Sequence, residues 1–495
     1  MTMTAQTSSP NTVSAWQSPV RILLLSVLLL VPCFWQSRIQ AGDLSSHVYN
    51  AWLASLIAQG KVQGLWIVSR SNNVLFDLGL AWLLPRVGAG AAQRIAVSVT
   101  VLIFAWGAIA FITAVAGRND WFVVPSVAIL TYGFTYHMGF FNFQLSLGVC
   151  LCYLAIFWTG NWQVRLLLTP LLALAWLAHP FPVIWALGTA AYRVAKANLP
   201  ARLQWMPFAL GLSTIVSAWY VLVHRYPCAW WPWQAFSVTG ANQILVFDIK
   251  YVYVLVAFLL VWLTLLGNLF RKRGITSVMR DTVFQLWLLN AVAVLMIPSR
   301  IIFPIYEAPF SFIIDRLSLF AGIMLGAVIA AMPMRVHERA LLLAAMITFF
   351  CSIFVDTQRL NRKEDQVSAA VHQLPAGART MSFFPPPRAR VNGLLHIVDR
   401  DCIGHCFSYA DYEPSSGQFR IRAGRGNGVA LSEYHNIALV EDGKYVVQSR
   451  DLPLYGVYSC ARRRQDVCSR PLQAGEVNGD LANKAPDKKN DLHAP

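Results

Sequence analysis

Long apolar runs recur along the first three quarters of this chain, and they restrict its fold more than any other feature. The run "RILLLSVLLLVPCFW" near the start is one example. Crossing a hydrocarbon core takes roughly 17–25 such residues in a helix. Inside lipid every backbone amide needs an internal partner, so the helix is the natural crossing element for runs of this kind. Of the 495 residues, 56% are hydrophobic and 13% are charged, against about 25% charged in a soluble protein. The expected fold is a polytopic α-helical membrane protein. Candidate spans fall at 20–36, 74–90, 93–116, 121–138, 141–159, 166–178, 181–194, 204–224, 251–270, 282–298, 317–334 and 338–356, which sets the expectation at about 11–13 crossings. Residues 1–19 carry no signal-peptide pattern and are expected on the cytoplasmic side, with 20–36 retained as the first span.

The net charge of +16 is spread over loops and tail, with no nucleic-acid recognition motif beside it, so no nucleic-acid partner is expected. Positive charge in short loops marks the cytoplasmic side. "YRVAKANLPAR" (192–202), "RKRG" (271–274) and "RVHER" (335–339) are such loops. Loops 225–250 and 298–316, and everything after 356, are then expected outside. Counting every candidate as a crossing puts 192–202 on the wrong side. One segment among 74–194 is therefore re-entrant, interfacial or not a span. The segment 74–90, with Asp77 and Pro85, and the pair of short runs around "AHPFP" are the suspects.

From 357 the chain changes character. Alternating stretches such as "QFRIRA" and "KYVVQS", with the turn signal "EDGKY", predict a small β-rich extracytoplasmic domain over 357–475. The polar end 476–495 reads as disordered. Four of the nine cysteines, Cys402, Cys406, Cys460 and Cys468, lie in this region. Their spacings favour disulfides in an oxidising compartment over zinc, and the pairing is not readable from sequence. The segment "DRDCIGHCFSYADYEP" is dense in Asp, His and Tyr, and reads as a disulfide-braced loop, with metal binding through His405 as the alternative.

Immediately after the first span comes "QAGDLSSHVYNAWLASLIAQG", Gln40 to Gly60. Apolar residues at 44, 48, 52 and 56 and at 49, 53 and 57 predict one helix face, while Asp43, His47 and Asn50 line another. An amphipathic helix over 43–60 in the outer interface is expected, holding a carboxylate and an imidazole at the membrane surface. The plainer alternative makes Asp43 only an N-cap.

This layout resembles the GT-C superfamily of polyprenyl-phosphate-sugar glycosyltransferases, which includes protein mannosyltransferases and aminoarabinose transferases. The shared features are a first span, an acidic residue just outside it, an amphipathic helix, many further spans and a soluble C-terminal domain. The Asp43-x3-His47 pair also resembles bacterial membrane proteins of the YfhO type. The resemblance implies transfer of a sugar from a polyprenyl-phosphate donor to a glycan, lipid or protein acceptor at the outer face of a bacterial inner membrane. It implies that Asp43 is the general base, with His47 assisting it or holding phosphate. Late outer loops of that superfamily supply cations to the donor phosphate, and the matching candidates are Arg300 and Arg316; snorkelling to headgroups is their alternative. Many members carry two adjacent acids where this chain has "GDLSS", which leaves the cofactor unassigned, a divalent metal included.

Trp230, Trp231 and Trp233 in "RYPCAWWPWQAF" are candidate sugar- or lipid-binding residues, against the ordinary interfacial tryptophan belt. His137 and His179 sit at helix breaks, where capping is the plainer role. A transporter or flippase for a lipid-linked substrate ranks lower, since the polar residues gather at helix ends and no internal repeat is visible. A non-catalytic scaffold with a glycan-binding exported domain is the remaining reading.

Overall fold

The computed structural model describes residues 18–118, 122–385, 387, 389–424, 426–460 and 467–482. Most of the N-terminal segment and the polar end from 483 onward lie outside these residues. The chain is mostly helical. In order come α1 (Pro19–Phe34), α2 (Leu44–Ala58), α3 (Leu75–Ala116), α4 (Val123–Thr131), α5 (Phe134–His137), α6 (Phe141–Thr159), α7 (Trp162–Leu167), α8 (Pro170–Ala178) and α9 (Pro180–Asn198). Then follow α10 (Met206–Arg225), α11 (Tyr251–Arg273), α12 (Ile275–Met279), α13 (Thr282–Met296), α14 (Ile313–Ile329) and α15 (Val336–Val371), with α16 (Glu413–Ser416) and α17 (Tyr434–Glu441) in the tail.

Among the described residues, five helices are long and apolar enough to cross a membrane: α3, α6, α10 with the turn before it, α11 and α15. Shorter apolar helices are α1, the pair α7–α8 and α13. The difference from the count expected from apolar runs has a physical reason. A run of apolar residues also describes a helix buried inside a bundle. The nine residues of α4 rise only about 14 Å and are almost all buried, so that helix by itself is too short to cross. Runs 74–90 and 93–116 join into α3 across Gly88, whose φ of 76° breaks the helix. Between α8 and α9 the chain is extended at His179, whose Nδ1 accepts the Phe181 amide at 3.2 Å. That cap and the two prolines make the break expected at "AHPFP".

The bundle core packs Phe104, Phe111, Phe258, Trp262 and Phe320 between α3, α11 and α14. At the crossing of α3 and α6 a Cβ on Gly148 would lie 2.6 Å from the Phe104 amide nitrogen. Only a glycine permits that approach, the small-residue packing common between apolar helices.

The strands are short: β1 (Leu65–Ile67), β2 (Cys228–Ala229), β3 (Arg300–Ile301), β4 (Arg379–Phe383), β5 (Phe407–Ser408), β6 (Ile421–Ala423), β7 (Leu454–Ser459) and β8 (Val467–Pro471). The tail sheet has order β5-β4-β7-β8, with β4 parallel to both neighbours and β8 antiparallel to β7. "QFRIRA" does form a strand, β6, but it pairs with β1 just after α2 and lies outside that sheet. "KYVVQS" contributes a single bridge, Val446 with Val477. The tail cysteines pair as Cys402–Cys406 and Cys460–Cys468, with sulfurs 2.08 and 1.88 Å apart.

Helix α15 continues past residue 356 to Val371 and carries the tail on its end. Its fully buried Glu364 receives Arg400 Nε and Nη2 at 2.9 and 2.8 Å and Gln40 Nε2 at 2.6 Å. Arg38 approaches the same carboxylate at 3.6 Å, and Arg400 also reaches Gln93 on α3. One carboxylate thus ties the tail to the exit of α1 and, through Arg400, to α3. Removing one partner of a buried ion pair costs about 3–5 kcal/mol. Glu364→Gln is expected to lower the melting midpoint in detergent and to expose the tail to limited proteolysis at temperatures where the parent chain resists.

Candidate functional site

Helix α2 lies between the bundle and the tail. Ten of its fifteen residues, Leu44 through Ala51 with Leu53 and Ala54, are buried. Its polar edge was expected at the membrane surface, and it is covered instead by the loop running into α16. Ser46 Oγ and Asn50 Nδ2 donate to the two oxygens of Asp411 at 2.8 and 2.7 Å. Tyr49 Oη accepts the Ser408 amide at 3.1 Å. His47 Nδ1 lies 2.8 Å from Asp77 Oδ1 and 3.2 Å from Glu413 Oε1.

Asp43 precedes the first turn of α2, but its side chain caps nothing. Its backbone is held from the other side: Gly42 and Asp43 donate to the carbonyls of His137 and Met138 at 2.7 and 3.1 Å. Gly139, with φ 89°, lies so close that an added Cβ would fall 2.7 Å from the Asp43 nitrogen. The carboxylate faces a cavity of 290 Å³ together with His47, Asn142, Arg316, His396 and Tyr412. His396 Nε2 is 3.9 Å from Asp43 Oδ1, and its Nδ1 is 3.3 Å from Asp399. Burial raises the Asp43 carboxyl above its ordinary value, against the opposing pull of His396, His47 and Arg316.

Arg316, near the start of α14, is caged by aromatic rings, its guanidinium 4.3 Å from the Phe140 centroid and 5.6 Å from that of Phe310. Nη1 donates to the Ser311 carbonyl at 2.7 Å, while the buried Nε has no partner. Among the described residues it forms no ion pair. A guanidinium so placed is a ready anion contact. By contrast the neighbouring Asp315 is matched with Arg390 of the tail.

A second cavity, 710 Å³ and almost wholly apolar, opens between α9, α10, α13 and α14. Phe181, Trp185, Leu289 and Phe320 line it, with Asn290 as one of its few polar groups. Phe143 of the polar cavity packs 5.6 Å from Phe320 and 6.5 Å from Phe181. Rings that line the two cavities therefore pack against each other.

The structure brings Asp43, His47 and Arg316 to one cavity. Arg300 does not line it; it stands exposed in β3, with a long-range influence on Tyr434 at the cavity wall. Nor do the three tryptophans line it. Trp230 donates to the Met296 carbonyl, Trp231 lies under Arg390, and Trp233 is 62% exposed beside Phe236. His179 lines the cavity while capping α9, and His137 bonds the Gln40 carbonyl. The residues that sequence reasoning missed are His396, Tyr412, Glu413 and Glu441, all from the tail. The Asp- and Tyr-rich "DRDCIGHCFSYADYEP" was the available signal for two of them.

Compared with protein-family models, with curated proteins and with solved structures, the chain matches none.

Burial lowers the affinity of His396 for its proton, but Asp399, then Asp43 and Asp411, outweigh this and raise its pKa from 6.5 to about 9. Glu441 also faces it. A raised folded-state value means that the contribution to stability is complete below pH 6.5 and lost as pH rises through about 9. The melting midpoint is expected to fall over that window, and a His396→Gln chain should lack this component of the fall.

Proposed function

We propose that this chain is a membrane glycosyltransferase that moves a sugar from a polyprenyl-phosphate donor to an acceptor hydroxyl at the outer face of a bacterial inner membrane. In this reading α1, the two halves of α3, the α7–α8 pair, α9, α13 and α14 join α6, α10, α11 and α15 in a bundle of about 11 membrane segments, and the disulfide-bearing tail is extracytoplasmic. The observation that carries it is the meeting of a half-buried carboxylate and a guanidinium that has no ion-pair partner among the described residues in one cavity, whose aromatic wall packs against that of a large apolar one.

Each feature suits one part of the reaction. The apolar cavity takes the isoprenoid chain, burying a substrate tail that water excludes. Arg316 meets the phosphate, where negative charge grows as the sugar leaves. Asp43 removes the proton of the acceptor hydroxyl while its oxygen bonds to the anomeric carbon. The bond from that carbon to the phosphate oxygen breaks, and the oxygen keeps the electron pair, leaving lipid phosphate. A carboxyl raised by burial is a better proton acceptor than an exposed one, and His47 and His396 hold it in place electrostatically.

The purified chain with radiolabelled polyprenyl-phosphate sugars is expected to transfer label to an acceptor. Asp43→Asn should lower kcat about 100-fold or more, without changing the melting midpoint by a comparable amount. Arg316→Ala should weaken donor use, with Arg316→Lys partly restoring it. Activity should fall on the acid side at a pH above the ordinary carboxylate range, following Asp43. Donor binding without any transfer, or full transfer by Asp43→Asn, would sink this assignment.

A further inference from the structure

Beside the cavity lies a second cluster, which shares His47 with it. His47 Nδ1, Asp77 Oδ1 and Glu413 Oε1 lie within 4.8 Å of one another. The imidazole nitrogen is 2.8 Å from one carboxylate and 3.2 Å from the other, yet neither contact has hydrogen-bond geometry, and both His47 Nδ1 and Glu413 Oε1 are buried without a partner. Asn50 Oδ1 is a third buried and unpartnered atom. A 20 Å³ void, room for one water or ion, is bordered by Asn50, Asp77 and Glu413, while His47 lines the neighbouring cavity. Arg420 borders it too and opposes a cation there, but two carboxylates exceed its single charge.

We infer that His47, Asp77, Glu413 and Asn50 form a binding site for a divalent transition-metal ion. An ion about 2.1 Å from each ligand puts neighbouring ligands about 3 Å apart, which is the spacing of His47 from both carboxylates. One imidazole, two carboxylates and an amide oxygen suit Mn²⁺ or Zn²⁺ better than Mg²⁺ or Ca²⁺, which prefer oxygen alone. The supporting contacts fit as well. Asn142 Nδ2 donates to Asp77 Oδ2 at 2.8 Å, fixing the carboxylate. Asn50 spends its amide hydrogens on Asp411 and on the Ser46 carbonyl, so the free end of the side chain is its oxygen. Such outer contacts orient metal ligands. The ligands come from α2, the start of α3 and the tail, so the ion would clamp three segments that are far apart in sequence. This site stands whether or not the protein transfers sugar.

The test uses the full chain in detergent, stripped with chelator and dialysed against MnCl₂ or ZnCl₂. One ion per chain is expected, with a higher melting midpoint than the stripped protein. Asp77→Asn and Glu413→Gln should each bind at least about tenfold more weakly, and Asn142→Ala about 10–100-fold more weakly. Pulsed EPR of the Mn²⁺-loaded parent should show coupling to a single imidazole nitrogen, a readout that needs no variant to fold. A folded parent that takes up neither ion overturns the site and leaves His47 as an imidazolium shared between two carboxylates. Uptake of Mg²⁺ or Ca²⁺ alone, absence of nitrogen coupling, or unchanged affinity in folded Asp77→Asn and Glu413→Gln would overturn it equally.

Discussion

The cavity exists because the tail is locked against a bundle of apolar helices, and the lock is the buried carboxylate of Glu364. Buried charge is costly unless it is paired and hydrogen-bonded. Glu364 meets that condition only when Arg400 of the tail, Gln40 of the exit loop and Arg38 converge on it. The requirement couples the register of α15 to the path of the loop before Asp43. With that loop fixed, α2 must run under the tail, and its polar edge finds partners in Asp411 and Glu413. A second ion pair, Arg390 with Asp315, does the same on the opposite wall beside Arg316.

The polar centre that results is unusual in its charge. Asp43, Asp77, Asp399, Asp411 and Glu413 crowd around two imidazoles, His47 and His396. Asp411 is satisfied by hydroxyl and amide donors, while Asp399 accepts from Ser408 on one oxygen and faces His396 at 3.3 Å with the other. Asp43 faces the cavity beside Tyr412 and His396, which sets it apart from the carboxylates that hold structure. Arg316 shows the complementary choice. Its guanidinium is stacked on rings, which bury its planar faces while leaving its charge unspent.

Local patterns in the sequence carried a good part of this. The 3.6-residue periodicity after Asp43 placed α2 within a residue or two of its observed bounds, because amphipathic spacing is a property of the segment itself. "AHPFP" gave a helix break, since proline forbids the helix interior wherever it stands. The tail cysteines pair in disulfides, the chemistry favoured for them. Less legible were the number of crossings and the surroundings of each polar residue. Apolar composition fits a lipid-facing helix and a buried one alike, as α4 illustrates. Asp77, which made the segment 74–90 a doubtful crossing, sits at the first turn of α3, where Asn142 and His47 meet it.

What the sequence determined by itself is the material: a strongly apolar, helix-forming chain with a β-containing, disulfide-bonded tail, and an acid and a histidine one helical turn apart after the first helix. These follow from composition and short-range periodicity. What the tertiary structure decided is company. Nothing local links His47 to Glu413, Asp43 to His396 or Arg316 to Phe140, because these contacts are set by how α2, α14 and the tail dock. Arg300 and Arg316 looked equivalent in one loop. The start of α14 turned one into the cavity, while pairing of β3 with β2 left the other on the rim, since side-chain direction depends on the element that carries it.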